Sequence, residues 1–267
     1  MLKDITIGQY YKADSVIHRL DPRVKLMGTL IFIISLFMGM NIWIYAVVTV
    51  ALAVVIKMSR IPLKFMVRGL KSIVILIIIS AVFNLFLTPG DVLIQIWKLT
   101  ITYQGLKMAI FMVVRLIYLI VGTSLMTLTT TPNNLTDGLE KGLGFLKVIK
   151  VPVHEIAMMM SIALRFIPIL IEETDKIMKA QMARGADFEN GSLIKRAKAM
   201  VPILVPLFVS AFRRANELAM AMEARCYHGS EGRTKMKPLK YEKRDRIAYI
   251  SMVLYLGVII IVKIIAA

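Results

Sequence analysis

The sequence predicts an all-α polytopic membrane protein of about five transmembrane helices, with a cytoplasmic block of long helices between the fourth span and the fifth. Three observations carry this reading. Of 267 residues, 58% are hydrophobic and the mean hydropathy is +0.71, as expected of a chain solvated largely by lipid. The apolar residues gather into runs on the scale of the roughly 20 that a helix needs to cross a bilayer. The net charge is +17, and the cations fall between those runs, as they do in cytoplasmic loops facing anionic headgroups.

Residues 1–25 form a cytoplasmic N-terminal segment, polar and charged, without the apolar stretch of a cleaved signal. It ends at His18-Arg19-Leu20-Asp21-Pro22-Arg23-Val24-Lys25. Asp21 supplies a carboxylate for free amides, and Pro22 sits where a missing N–H costs nothing, so a helix starts there. Residues 26–130 form a membrane domain of four spans. The apolar run Leu26–Ile56 is too long for one span and is broken at Gly39-Met40-Asn41, so it reads as a hairpin with the basic clusters at both ends kept inside. Arg60, Lys64, Arg68 and Lys71 recur at helical spacing, which suits a connector lying among headgroups. Ile73 to Leu87 crosses outward and stops before Thr88-Pro89-Gly90-Asp91. An outer loop follows to about Gly105, and Met108 to Thr130 returns. Arg115 within this run lies near its outer end and is expected to snorkel.

Residues 131–246 form the cytoplasmic domain. They hold 20 of the 34 Lys and Arg alongside 13 Asp and Glu, which places the block on the inner face. Thr131-Pro132 opens a short amphipathic helix that Gly142 and Gly144 close. A long helix is predicted from about Pro152 to Arg184 and another from about Ser192 to Arg225, each with an apolar first half and a polar second half. The first apolar half, Ile156–Ile171, has 16 residues, short of a span. Crossing there would also carry Lys176, Lys179 and Arg184 outward, so it is expected to lie along the bilayer. Residues 247–267 hold the final transmembrane helix, with Lys263 snorkelling. The N-terminus is then inside and the C-terminus outside.

The two long helices end alike, at Ala183-Arg184-Gly185 and Ala224-Arg225-Cys226. Alanine permits close approach, and arginine offers a planar fork of donors suited to a carboxylate, so each tip would fit an acidic groove on a partner. The alternative is that each arginine only complements its own helix dipole and carbonyls.

Little in the chain suggests catalysis. The single Cys226 excludes an intramolecular disulfide, and scattered His18, His154 and His228 give no metal spacing. No phosphate-binding GxxxxGK[ST] loop is present. Glu172, Glu173 and Asp175 would be the acid–base candidates of a membrane enzyme, but beside Lys176 and Lys179 they read as a solvated or paired face. Nucleic acid is not an expected partner, since exposed aromatics do not interleave with the cations.

Taken together, the His18–Lys25 segment, Leu164-Arg165-Phe166-Ile167-Pro168 and the two Ala-Arg motifs resemble the transmembrane T component of energy-coupling factor transporters, over essentially the whole chain. The resemblance implies a non-enzymatic scaffold of an ATP-driven ABC importer for vitamins or other micronutrients in a prokaryotic plasma membrane. Its partners would be two ABC-type ATPases, which bind the ATP, and a small substrate-capturing S component; no cofactor would be held by this chain. The long helices would be coupling helices, with Ala183, Arg184 and Gly185 docking on one ATPase and Ala224, Arg225 and Cys226 on the other. Cys226 departs from the glycine of the first motif and is expected to pack as a small residue. Met158, Met159, Ile162, Phe166, Ile203 and Leu207 would contribute to a platform for the S component. Two other classes stay open on the residues alone: a membrane-embedded enzyme acting on a lipid or isoprenoid, and a self-sufficient secondary transporter.

Overall fold

A computed structural model of the chain describes residues 10–71, 73–96, 99–186, 188, 192–229, 236 and 238–265. Helices dominate: α1 (Pro22–Phe37), α2 (Ile42–Ser59), α3 (Leu63–Lys71), α4 (Val74–Leu87), α5 (Tyr103–Thr129), α6 (Pro132–Gly142), α7 (Val153–Ala183), α8 (Leu193–Glu223) and α9 (Lys243–Ile265). Strands β1 (Val92–Ile96) and β2 (Leu99–Thr102) pair antiparallel between α4 and α5. The chain divides into two units, one of Gly8–Gly138 with Leu239–Ala267, the other built on Leu139–Pro238.

The first unit holds the apolar helices. α1 and α2 separate at the predicted break, where the Asn41 side chain accepts from the Trp43 amide and caps α2. Leu36, Ile44, Tyr45, Val48 and Ile259 form a buried core that Phe32, Phe111, Val114 and Tyr118 complete, tying α1, α2, α5 and α9 together. Hydroxyls join the same helices where water is scarce: Ser35 with Tyr255 at 2.7 Å and Thr49 with Tyr118 at 2.6 Å.

Among the described residues, α2, α5, α7 and α9 are each long and apolar enough to cross a membrane, and α3 with α4 make a fifth candidate bent by 63°. Two helix lengths bear on the count of spans. α1, counted as a span, has 16 residues, about 24 Å of helix against a hydrocarbon core near 30 Å. α7, counted as too short, is a continuous helix of 31 residues, and its apolar stretch meets the requirement of length and composition.

The outer loop contains the β-hairpin that the sequence reading took as irregular. Val92, Ile94 and Ile96 oppose Thr102, Ile101 and Leu99, and β-branched residues suit this pleated backbone. The hairpin sets the start of α5, because the Thr102 hydroxyl accepts from the Gly105 amide at 3.0 Å and donates to the Thr88 carbonyl at 2.8 Å. Arg115 does not snorkel. It is buried, its Nε donates to the Tyr45 hydroxyl at 3.0 Å, and its guanidinium lies 5.0 Å from the Phe37 ring centroid. An internal partner in a low-dielectric site outweighs a long reach to the surface.

A polar cluster fastens the chain's beginning to distant elements. Asp21 caps α1 as predicted, taking the Arg23 amide at 2.9 Å and the Arg23 fork at 3.0 and 2.8 Å. Arg23 also stacks 3.8 Å over the Tyr241 ring. Buried Asp245 accepts from the Asp21 amide at 2.9 Å and from the Glu242 amide at 2.8 Å. Lys25 Nζ donates to the carbonyls of His18 at 3.1 Å and Thr129 at 2.8 Å. Gly138 lets α6 lie on Pro22, whose Cβ would be 2.8 Å from any side chain placed there.

Asp245→Ala would leave the buried Asp21 amide and the part-buried Glu242 amide without their acceptor and is expected to lower stability by about 1–3 kcal/mol, measured as thermal unfolding in detergent. Burial alone would raise the Asp21 carboxyl, but the Arg23 fork and amide hold it below its ordinary value. A depressed carboxylate stabilises fully above its unfolded value near 4 and loses that contribution as pH falls through the folded value. The difference in melting temperature between the native chain and Asp21→Asn should therefore stay constant from neutral pH down to about 5 and shrink below about 4.

Candidate functional site

The second unit is built around α7 and α8, each of 31 residues and each with internal proline: Pro168 in α7, Pro202 and Pro206 in α8. A proline inside a helix leaves the carbonyl four residues earlier without its donor. Pro206 does this to Pro202, and the Pro202 carbonyl takes the Gln181 amide group of α7 at 3.5 Å, the outer limit of a hydrogen bond. The prolines thus open backbone acceptors to the neighbouring helix.

Contacts between the helices run in opposite chain directions. Gln181 meets Pro202, Glu173 meets Arg214 at 3.0 Å, and Ile162 shares a groove with Met222. The pair is antiparallel. Its groove encloses about 270 Å³ between Ile162, Phe166 and Leu170 of α7 and Ala211, Leu218 and Met222 of α8. Glu173 and Arg214 are both partly shielded from solvent, which strengthens their attraction beyond that of a surface pair.

Both helices end through the same backbone device. In α7 the Gly185 amide donates to the Met182 carbonyl at 2.9 Å and the Ala186 amide to the Gln181 carbonyl at 3.0 Å. In α8 the Cys226 amide donates to Glu223 at 2.9 Å and the Tyr227 amide to Met222 at 3.1 Å. Gly185 has φ +87° and Cys226 φ +53°, as this closure requires. The backbone itself satisfies the last carbonyls, so the arginine one residue earlier is not needed for that task. Arg184 and Arg225 are exposed, and among the described residues neither guanidinium has an ion pair or side-chain hydrogen bond. Because the helices are antiparallel, the two tips stand at opposite ends of the pair, roughly 30 Å apart along it.

The structure places the other predicted residues as follows. Ala183, Gly185 and Ala224 are exposed around the arginines. Cys226 is exposed, at positive φ in the turn that closes α8. Met159 is exposed, Met158, Ile162, Phe166 and Leu207 are half-buried, and Ile203 is buried. The apolar face is wide: Leu204, Val205, Phe208, Val209 and Phe212 of α8 are all exposed. Of the acid–base candidates, Glu173 pairs with Arg214 and Asp175 with Lys179 at 2.6 Å, while Glu172 is exposed. Among the described residues no cluster of His, Cys, Asp or Glu could hold a metal ion.

Sequence reading missed the Glu173–Arg214 contact, although a signal existed. Glu172-Glu173 and Arg213-Arg214 stand 41 positions apart, as do Arg184 and Arg225. In an antiparallel pair equivalent positions meet only near the crossing point, and Glu173 and Arg214 stand there.

Comparison with known proteins gives a consistent set of similarities. Residues 13–236 match the cobalt transport protein family. An energy-coupling factor transporter transmembrane protein EcfT from Clostridium kluyveri is 57% identical over 250 residues, covering 93% of this chain and 93% of its own. Proteins of the same name from Bacillus subtilis and Lactococcus lactis are 47% and 42% identical over 254 residues, each alignment covering 95% of this chain and 96% of theirs.

The closure of the helices can be tested directly. Gly185→Ala should cost about 1 kcal/mol, because a Cβ is disfavoured in the left-handed region. Cys226→Gly should gain less than that, since glycine's greater unfolded freedom offsets part of the relief. Hydrogen exchange of the Ala186 and Tyr227 amides reads both effects.

Proposed function

The chain belongs to the family of energy-coupling factor transporter transmembrane proteins, and from that membership we propose that it is the coupling scaffold of an ATP-driven importer of vitamins or other micronutrients. In this reading two ABC-type ATPases bind the ATP, and a small membrane S component captures the substrate. Arg184 with Ala183 and Gly185 docks in one ATPase, and Arg225 with Ala224 and Cys226 docks in the other. Hydrolysis drives the two ATPases together or apart, the tips follow, and the helix pair passes the movement to the S component. The chain itself carries out no chemistry and holds no cofactor.

The observation that best supports this reading is the pair of identical helix closures. Each presents an exposed arginine whose donors the helix end does not consume, and the two lie at opposite ends of one antiparallel pair. Two tips suit two partners. The exposed apolar face of α7 and α8 supports a membrane partner resting on it, with Met158, Met159, Ile162, Phe166 and Leu207 in or beside the contact and buried Ile203 beneath it. The charge bias favours the N-terminus and the α7–α8 block on the cytoplasmic side of a prokaryotic plasma membrane, with α7 lying along the bilayer despite its length. An enzymatic reading gains nothing from the acids of α7, two of which are held in ion pairs.

A charge-assisted arginine contact contributes about 1.5–3 kcal/mol, so Arg184→Glu and Arg225→Glu should each weaken ATPase association by at least tenfold. The double variant should lose uptake while keeping its membrane level. Normal complex yield and normal transport in the double variant would refute the assignment.

A further inference from the structure

The first unit contains a second cavity that plays no part in the coupling scheme. It encloses about 510 Å³ between the N-terminal parts of α1 and α9 and the C-terminal parts of α2 and α5, closed on one side by Val16, Ile17 and Leu20 of the N-terminal segment. That volume lies within the roughly 300–1,000 Å³ of ligand pockets. Its walls are almost wholly apolar, including Phe32, Leu52, Leu125 and Met252. Val54, Met58 and Ile247 on its lining are exposed, so the opening is flanked by apolar surface of a kind that lipid covers.

One end of the cavity is different. Among the described residues Lys25 and Arg244 are its only charged lining residues, and both are cationic. Lys25 Nζ uses two of its three donors on the His18 and Thr129 carbonyls, leaving one. Arg244 gives a terminal nitrogen to Glu242 at 2.8 Å, while its Nε is buried and without a partner among the described residues. A buried guanidinium donor left unmade is costly, so a structure that keeps one has an acceptor for it. The nearby carboxylates are committed elsewhere, Asp21 to Arg23 and Asp245 to two backbone amides.

We propose that this cavity binds one anionic phospholipid of the surrounding bilayer, its phosphate accepting from Arg244 Nε and the spare Lys25 donor and an acyl chain filling the space between α1, α2, α5 and α9. The geometry makes a headgroup anion and a chain simultaneous requirements: the cations stand at one end of an otherwise apolar cleft. The lipid would brace the N-terminal segment against α9, at the point where Asp21 and Asp245 already join them.

The full-length chain, purified in detergent and titrated with phosphatidylglycerol, phosphatidylcholine or glycerol 3-phosphate, provides the test. Native mass spectrometry should retain one phosphatidylglycerol, and this lipid should raise the melting temperature at a concentration at least tenfold below that needed for phosphatidylcholine. Arg244→Gln should abolish the tenfold preference while leaving the chain folded. Ala248→Phe, which fills the cavity from α9, should lose the adduct; Ala51→Phe fills it from α2 and serves if the first variant does not fold. Equal response to both lipids, an unchanged preference in Arg244→Gln, or an adduct retained by a folded cavity-filled variant would overturn the proposal. So would stabilisation by glycerol 3-phosphate equal to that by phosphatidylglycerol, which would mark a site for a soluble anion.

Discussion

Each long helix of the second unit runs out of amide partners at its C-terminus, and in both the last carbonyls are taken by the two amides that follow the arginine. That closure needs a residue at positive φ, and it forces the chain to turn away at once. An arginine in the last turn of an ordinary helix folds back on free carbonyls and the negative dipole end. Here those carbonyls are occupied, and among the described residues neither guanidinium makes an ion pair or a side-chain hydrogen bond. The closing hydrogen bonds come from backbone amides, so the reading in which each arginine is spent on its own helix end is not needed to close α7 or α8.

What lies between the tips gives them a fixed spacing. Prolines would weaken a lone helix, yet in α8 they free a carbonyl that α7 uses. The Glu173–Arg214 pair, partly screened from water, adds a directional contact near the middle of an otherwise apolar crossing. An apolar interface alone would tolerate sliding, whereas a charged pair at one position sets the register. Within the first unit, the same division of labour recurs: the apolar core gives bulk cohesion, and the Asp21–Asp245 cluster fixes where the N-terminal segment, α1 and α9 meet.

Local signals in the sequence translated well. Asp21-Pro22 and Asn41 cap helices because capping depends on residues two or three positions away, and the bounds of α7 and α8 fall within two residues of their predicted ends. What was not legible depended on distance or on counting. Arg115 finds Tyr45 from 70 positions away, and Asp245 finds Asp21 from 224. No local pattern encodes such meetings. The hairpin of β1 and β2 was hidden in a short apolar stretch whose alternation is weak. The acid and arginine pairs at matching positions of α7 and α8 were legible in principle, once the repeat was taken as a guide to which faces meet.

The sequence has a single cysteine, and it stands exposed beside Arg225. This permits the most direct measurement of the central claim without altering the arginines. A short photo-activatable crosslinker attached to native Cys226 in membranes, followed by mass spectrometry, should join this chain to an ATP-binding subunit. The same reagent on a Gly185→Cys, Cys226→Ser variant should join the other tip to an ATP-binding subunit as well. Labelled tips that crosslink only to lipid, or only within the chain, while transport remains intact would contradict the account.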